Sequence, residues 1–158
     1  MPRTPTPTPP TTPTTTPPTT TTTPLDLLGR WDLERDVEDR YASARLYVTG
    51  TAVLERLDDG RVRWHEEGTL ERPGSAPAEV HRTLLVLPAA DGSWQVTFDD
   101  GRPFHPWAPG IPVDHPCADD LYRGLVDVRD QARWTVTWQV RGPAKDHTIT
   151  TAYTRPAA

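Results

Sequence analysis

The chain has one cysteine, Cys117, one lysine, Lys145, and one methionine, Met1. A single cysteine makes no internal disulfide, which fits a reducing, cytoplasmic compartment. No apolar run approaches the roughly 20 residues that a membrane-spanning helix needs. Helical periodicity is scarce too, confined to a short turn expected at Leu25 to Leu28. Basic charge is in deficit: residues 25–158 hold all 22 acidic residues against 16 basic ones, a formal charge of −6. That balance argues against nucleic acid and acidic membranes as partners.

The first 24 residues are poorer still, with 13 Thr and 9 Pro beside Met1 and Arg3. Such a segment buries almost no apolar surface to offset the entropy of ordering, so a disordered, partly polyproline-like tail is expected. No apolar stretch follows the positive start, which argues against a secretory leader; an O-glycosylated stalk is the alternative. Residues 25–158 are then expected to form one domain. Lys145 is isolated among 16 arginines. Either chance or a need for a compact ammonium accounts for it.

What is present in quantity is period-two alternation. Trp31, Leu33, Arg35 and Val37 alternate with Asp32, Glu34, Asp36 and Glu38, giving a strand with one acidic, solvated face. Similar patterns cover residues 45–57, 61–71, 79–87, 93–99, 119–128, 133–141 and 146–155. Turn residues separate them: "DDG" at 58–60, "RPGS" at 72–75, "DG" at 91–92 and "RGPAKD" at 141–146. Eight sequential strands make an antiparallel meander, and closure removes its two edges. The expectation is all-β: a single up-and-down barrel of about eight strands. An even count returns Arg155 to Trp31, whereas "RPFH" as a ninth strand would separate them.

On these residues the chain resembles known proteins. Gly29 and Trp31 in "LLGRWDLE", with Arg155 in "TAYTRP", resemble the Gly-x-Trp signature and terminal arginine of lipocalins and the calycin superfamily. "GRWDLERDVEDR", "FDDGRPFH", "HPCADDLY" and "GPAKDH" together resemble the lipocalin-like family numbered 6314 among domains of unknown function, over 25–156. The resemblance implies a barrel and no established activity. It also implies a structural role for Gly29, Trp31 and Arg155, the guanidinium capping the indole at one barrel end.

Charges stand on faces that should point inward: Arg35 beside Trp31 and Leu33, and Glu66 beside Trp64 and Leu70. An unpaired charge there is costly, so these two are expected to pair, to meet water, or to meet a polar ligand. Inward Gly50, Ala52 and Gly68 leave room, which Trp64, Trp94, Trp134 and Trp138 compete to fill.

The stretch "FDDGRPFHPWAPGIPVDHPCADDLY", 98–122, interrupts the strands with five prolines and two histidines. Long irregular connections are commonly functional, and counting strands puts 99–118 at the same barrel end as the 142–145 turn. Lys145, Asp146 and His147 are therefore expected near His105, His115, Cys117 and Asp120. A metal site would use His105, His115, Cys117 and His147 with Asp119 or Asp120, but the spacing matches no standard zinc motif. Cys117 as a nucleophile needs His115 to converge on it across Pro116. Acid–base chemistry needs only one positioned group, with His105, Asp120 and Tyr122 as candidates. Two further possibilities are a polar network stapling a lid to the rim, and a lid touching ligand through Phe104, Trp107 or Tyr122. No cofactor is implied; the glycine-rich signature of haem-binding barrels is absent, although His115 or His147 could ligate iron.

The expected function is binding of a small, partly apolar molecule with a polar or anionic group in the barrel, under the 99–118 loop. Arg35, Trp64, Glu66, Phe104, His105, His115, Tyr122 and Lys145 are the expected contacts. The alternatives are an enzyme using the same cavity and a filled barrel acting through its surface as a protein-interaction module.

Overall fold

The computed structural model describes residues 21–157. A 3-10 turn, Pro24–Leu27, leads into ten strands: β1 (Gly29–Asp39), β2 (Ala44–Arg56), β3 (Val62–Glu71), β4 (Ala78–Pro88), β5 (Trp94–Phe98), β6 (Pro103–Pro106), β7 (Val113–Cys117), β8 (Asp120–Asp130), β9 (Arg133–Gly142) and β10 (Lys145–Thr154). All pairings are antiparallel, β1 pairs with β10, and the sheet order is β6-β5-β4-β3-β2-β1-β10-β9-β8-β7. The result is a nearly closed, lipocalin-like barrel with one seam, between β6 and β7.

The expected eight strands all form, and the count is corrected to ten by β6 and β7, both drawn from the supposed loop. The reason is a repeated turn. In "LDDGR" (57–61) the Leu57 amide donates to the Arg61 carbonyl, Asp59 Oδ1 accepts the Arg61 amide, and Gly60 takes φ +87°. "FDDGR" (98–102) repeats all three features at Phe98, Asp100 and Gly101 and folds β6 back onto β5. Only glycine adopts that left-handed conformation cheaply.

Two strands were added, so the count stays even and the ends still meet. The 99–102 and 118–119 turns share the barrel end of the 142–145 turn, as expected. The connector 107–112, however, lies at the opposite, Trp31 end, so 99–118 is barrel wall and not a lid over one mouth. The seam has a chemical cause: Pro103 and Pro106 in β6 and Pro116 in β7 have no N–H to extend a ladder.

Trp31, Trp64, Trp134 and Tyr153 fill the end where β1 begins, each at most 1% exposed. The Trp31 ring meets Trp134 edge-on at 6.0 Å, and Trp134 stacks on Tyr153 at 3.9 Å. The Arg155 guanidinium lies 3.8 Å above Trp31 and donates to the Leu28 carbonyl at 2.9 Å. Gly29 has φ +112°, and a Cβ there would stand 2.7 Å from Arg155 Nη1. Glycine, tryptophan and arginine therefore form one closure.

Gly50 and Gly68 pair with each other between β2 and β3. They do not serve to leave ligand room. A Cβ on Gly50 would collide with the Glu67 carbonyl oxygen, and one on Gly68 would stand 2.5 Å from the Thr49 carbonyl oxygen. Their function is close strand approach.

Of the tail expected at residues 1–24, residues 1–20 lie outside the described residues. Its last residues contact the barrel: Trp107 Nε1 donates to the Thr22 carbonyl at 2.9 Å, the Thr23 amide to Asp26 Oδ2 at 2.8 Å, and Pro24 is buried.

Candidate functional site

The polar interior is built around one carboxylate. Inward alternation in β3 puts Glu66 after Val62 and Trp64, and burial leaves it 3% exposed. Arg35 Nη2 reaches it from β1 at 2.7 Å and Arg82 Nη2 from β4 at 3.0 Å, both on Oε2. Trp64 Nε1 donates to Oε1 at 3.0 Å, and the Tyr153 hydroxyl donates to the same oxygen. Arg35 Nε donates to Thr151 Oγ1 at 2.8 Å. Burial pushes the Glu66 carboxyl up, but the charges of Arg82 and Arg35 and the Tyr153 hydrogen bond outweigh it and hold the carboxyl below its usual range. Burial and the neighbouring carboxylate push the Tyr153 phenol well above its usual value.

Two guanidiniums thus share one carboxylate, leaving an excess positive charge inside the barrel. Among the described residues, two buried side-chain atoms have no hydrogen-bond partner: Arg82 Nε and Trp134 Nε1. A small cleft of about 50 Å³ adjoins the cluster, lined by Leu33, Arg35, Val48, Gly68, Val80 and Arg82 among others.

Exposure grades along the strands. In β1, Trp31 and Leu33 are buried and Arg35 and Val37 half-buried; in β4, Leu84 and Val86 are buried and Arg82 and Val80 half-buried; β10 repeats this with Tyr153 and Thr151 against Ile149 and His147. The Trp31 end is therefore closed, and the Lys145 end is open down to the arginines, whose side chains are 16% (Arg35) and 36% (Arg82) exposed. A wider concavity of about 670 Å³ runs over the acidic face of β1, β2 and β10, where Arg45 pairs with Asp36 at 2.9 Å, and Arg35 and Val48 also line it.

The expected contacts divide into three groups. Arg35, Trp64 and Glu66 meet directly in the ion cluster. Phe104, His105 and His115 meet in an aromatic cluster with Phe98 and Trp138, which packs across the seam. Lys145 and Tyr122 meet at the rim, with Lys145 Nζ 2.9 Å from Asp120 Oδ2 and donating to the Tyr122 hydroxyl at 3.3 Å. Gly142 permits this, because any Cβ there would collide with the Asp120 carboxylate.

His105 is 3% exposed, and its Nδ1 donates to the Pro106 carbonyl at 2.8 Å, so Nε2 carries the lone pair. Burial, with lesser contributions from Arg82 and His115, lowers its pKa from 6.5 to about 4. Of the three acid–base candidates, Asp120 and Tyr122 are both held by Lys145, apart from His105. The four residues weighed as metal ligands scatter: Cys117 is exposed and His147 Nε2 lies 3.2 Å from Asp39 Oδ2. Among the described residues no cluster of three or more His, Cys, Asp or Glu side chains is arranged to hold a metal ion.

Sequence reasoning missed Arg82, although Val80, Arg82, Leu84 and Val86 form one inward face by the same alternation that identified Arg35. It also missed Tyr153 and Thr151, which alternate inward in "TITTAYT".

Comparison with solved structures agrees with this fold. The chain is similar to the S-type phycobiliprotein lyase CPES from Guillardia theta, with a TM-score of 0.60 and 8% identity over 85% of this chain and 91% of that one. A redesigned β-barrel, mFAP0, bound to DFHBI, is similar with a TM-score of 0.46 and 13% identity over 82% of this chain and 99% of that one. No curated protein sequence matches the chain. A family model does match, over residues 27–155, and the chain belongs to the family of unknown function DUF6314.

Proposed function

We propose that the protein binds a small, partly apolar molecule with an anionic group, entering through the open end of the barrel. The observation that carries this reading is the charge imbalance: Arg35 and Arg82 face one buried Glu66, and Arg82 Nε is buried with no acceptor among the described residues. A ligand carboxylate would supply that acceptor and neutralise the excess charge. Half-buried Val80, Leu70 and Ile149 above the arginines supply apolar wall. Lys145 and Tyr122 stand at the rim as secondary contacts. The small cleft favours a second reading, a filled barrel acting through its surface, because 50 Å³ is space for a headgroup and little more.

The test is a thermal-shift series of straight-chain carboxylates against the matching amides, on the full chain and on Arg82→Met. Binding raises the melting temperature with ligand concentration. Carboxylates are expected to raise it, the amides not, and Arg82→Met is expected to abolish the difference. A melting temperature indifferent to every carboxylate would favour the filled barrel.

A further inference from the structure

Three rings stand in parallel across the seam. Phe104 of β6 lies between Phe98 of β5, at 4.5 Å and 13°, and Trp138 of β9, at 5.0 Å and 12°. Its edges meet His115 at 5.1 Å and His105 at 4.8 Å. Phe98 and Trp138 thus form two facing walls one ring apart. Gly124 keeps the Trp138 wall flat, since a Cβ there would stand 2.6 Å from Trp138 Cζ3.

The filling of this slot is the least firmly held of the three rings. Phe98 and Trp138 sit on strands paired on both sides, whereas β6 is a four-residue edge strand. Its ladder to β5 has a register shift at Val96/Thr97, and two of its four residues are prolines. No ladder joins β6 to β7 among the described residues. Phe104 can therefore leave the stack without breaking a continuous sheet.

The slot also lies beside the excess charge. Leu84 pairs with Phe98, and Arg82 is the next inward residue on β4. That diagonal relationship spans about 7–8 Å in an antiparallel pair, roughly the distance between an aromatic ring and its carboxylate with the guanidinium that binds it.

We propose that the slot between Phe98 and Trp138, filled by Phe104, receives the planar aromatic ring of an anionic ligand whose carboxylate meets Arg82. This rests on the anion-binding reading and deepens it, naming aromatic carboxylates as the ligand class. Phe104 acts as an internal stand-in, and its displacement reduces apparent affinity by the fraction of molecules in which the slot is free. Stacking between two aromatic faces favours planar rings over puckered ones of equal size.

The experiment is calorimetric titration of the full chain with 2-naphthoate, 2-naphthamide and cyclohexanecarboxylate. 2-Naphthoate is expected to bind at least about ten-fold more tightly than the other two. Phe104→Ala, which empties the slot, is expected to gain about ten-fold for 2-naphthoate and nothing for cyclohexanecarboxylate. Phe104→Leu fills the slot without stacking and is expected to gain in the same direction; it decides the matter if near-ultraviolet circular dichroism shows the alanine variant unfolded. Equal binding of 2-naphthoate and cyclohexanecarboxylate, both lost in Arg82→Met, would overturn the slot and leave anion binding standing. Equal binding of 2-naphthoate and 2-naphthamide would overturn the pairing with Arg82. Binding of none of the three by any variant would overturn both readings.

Discussion

Arg35 Nη2 lies 2.7 Å from Glu66 Oε2, across the strand that separates them in the middle of the barrel. Each alone would be a buried charge of high cost, and together with Arg82 they form a hydrogen-bonded cluster in which the carboxylate is the minority charge. The barrel therefore holds a positive site open to solvent on one side and backed by four packed aromatic rings on the other.

Removing the minority charge should be more damaging than its single ion pair suggests. Glu66→Gln leaves two guanidiniums facing each other and is expected to cost roughly 3 kcal/mol, as when one partner of a buried pair is deleted. Urea denaturation of the variant and the parent at neutral pH reads this directly. The pH dependence has a defined sign. The folded-state pKa of Glu66 lies below the unfolded value of 4.5, so its contribution is present above that value and is lost as pH falls through the folded one. The gap between parent and Glu66→Gln should narrow below about pH 4.5. A gap unchanged down to pH 3 would mean that Glu66 is not the charged partner described.

His105 makes a separate prediction, in a different window. Its folded pKa of about 4 is below the unfolded 6.5, so the unfolded chain binds the proton first. Stability is full above pH 6.5 and is lost as pH falls toward 4, by roughly 3 kcal/mol in all. A proton-NMR titration should place the His105 ring near pH 4, and His105→Gln should flatten the stability curve between pH 6.5 and 4. A ring titrating near 6.5 would show that it is not buried as described, since burial lowers its pKa and the Pro106 hydrogen bond opposes that shift.

The eight expected strands were legible because their inward and outward residues alternate in kind, and period two survives substitution of a charge such as Arg35 for an apolar residue. The closure of Gly29, Trp31 and Arg155 was legible through the resemblance and through strand parity. The pairing of Arg35 with Glu66 was one of three outcomes, beside water and a polar ligand, that the cost of burying either alone left open. Strands β6 and β7 were not legible as strands: proline, a poor strand former, occupies three of their nine positions, whereas β5, equally short, has none. The repeat of "DDGR" at 58–61 and 99–102 carried the missing signal. The stack of Phe98, Phe104 and Trp138 joins three strands far apart in sequence, and alternation reports facing, not which facing residues touch.

The closed end supplies the last prediction. Arg155 caps both an indole face and the Leu28 carbonyl, and it crosses the space above Gly29 that a Cβ would need. Gly29→Ala must therefore displace the guanidinium and also hold alanine at φ +112°, where side chains are strained. Arg155→Ala loses the cation–π contact and the cap, at a cost of about 1–2 kcal/mol. Because Gly29→Ala acts partly by expelling Arg155, the two losses should not add: the double variant should be less destabilised than the sum, with a coupling of about 1 kcal/mol in chemical denaturation. Additive losses would mean that the alanine at 29 is penalised by backbone strain alone, and that glycine is required there by its φ angle and not by the arginine above it.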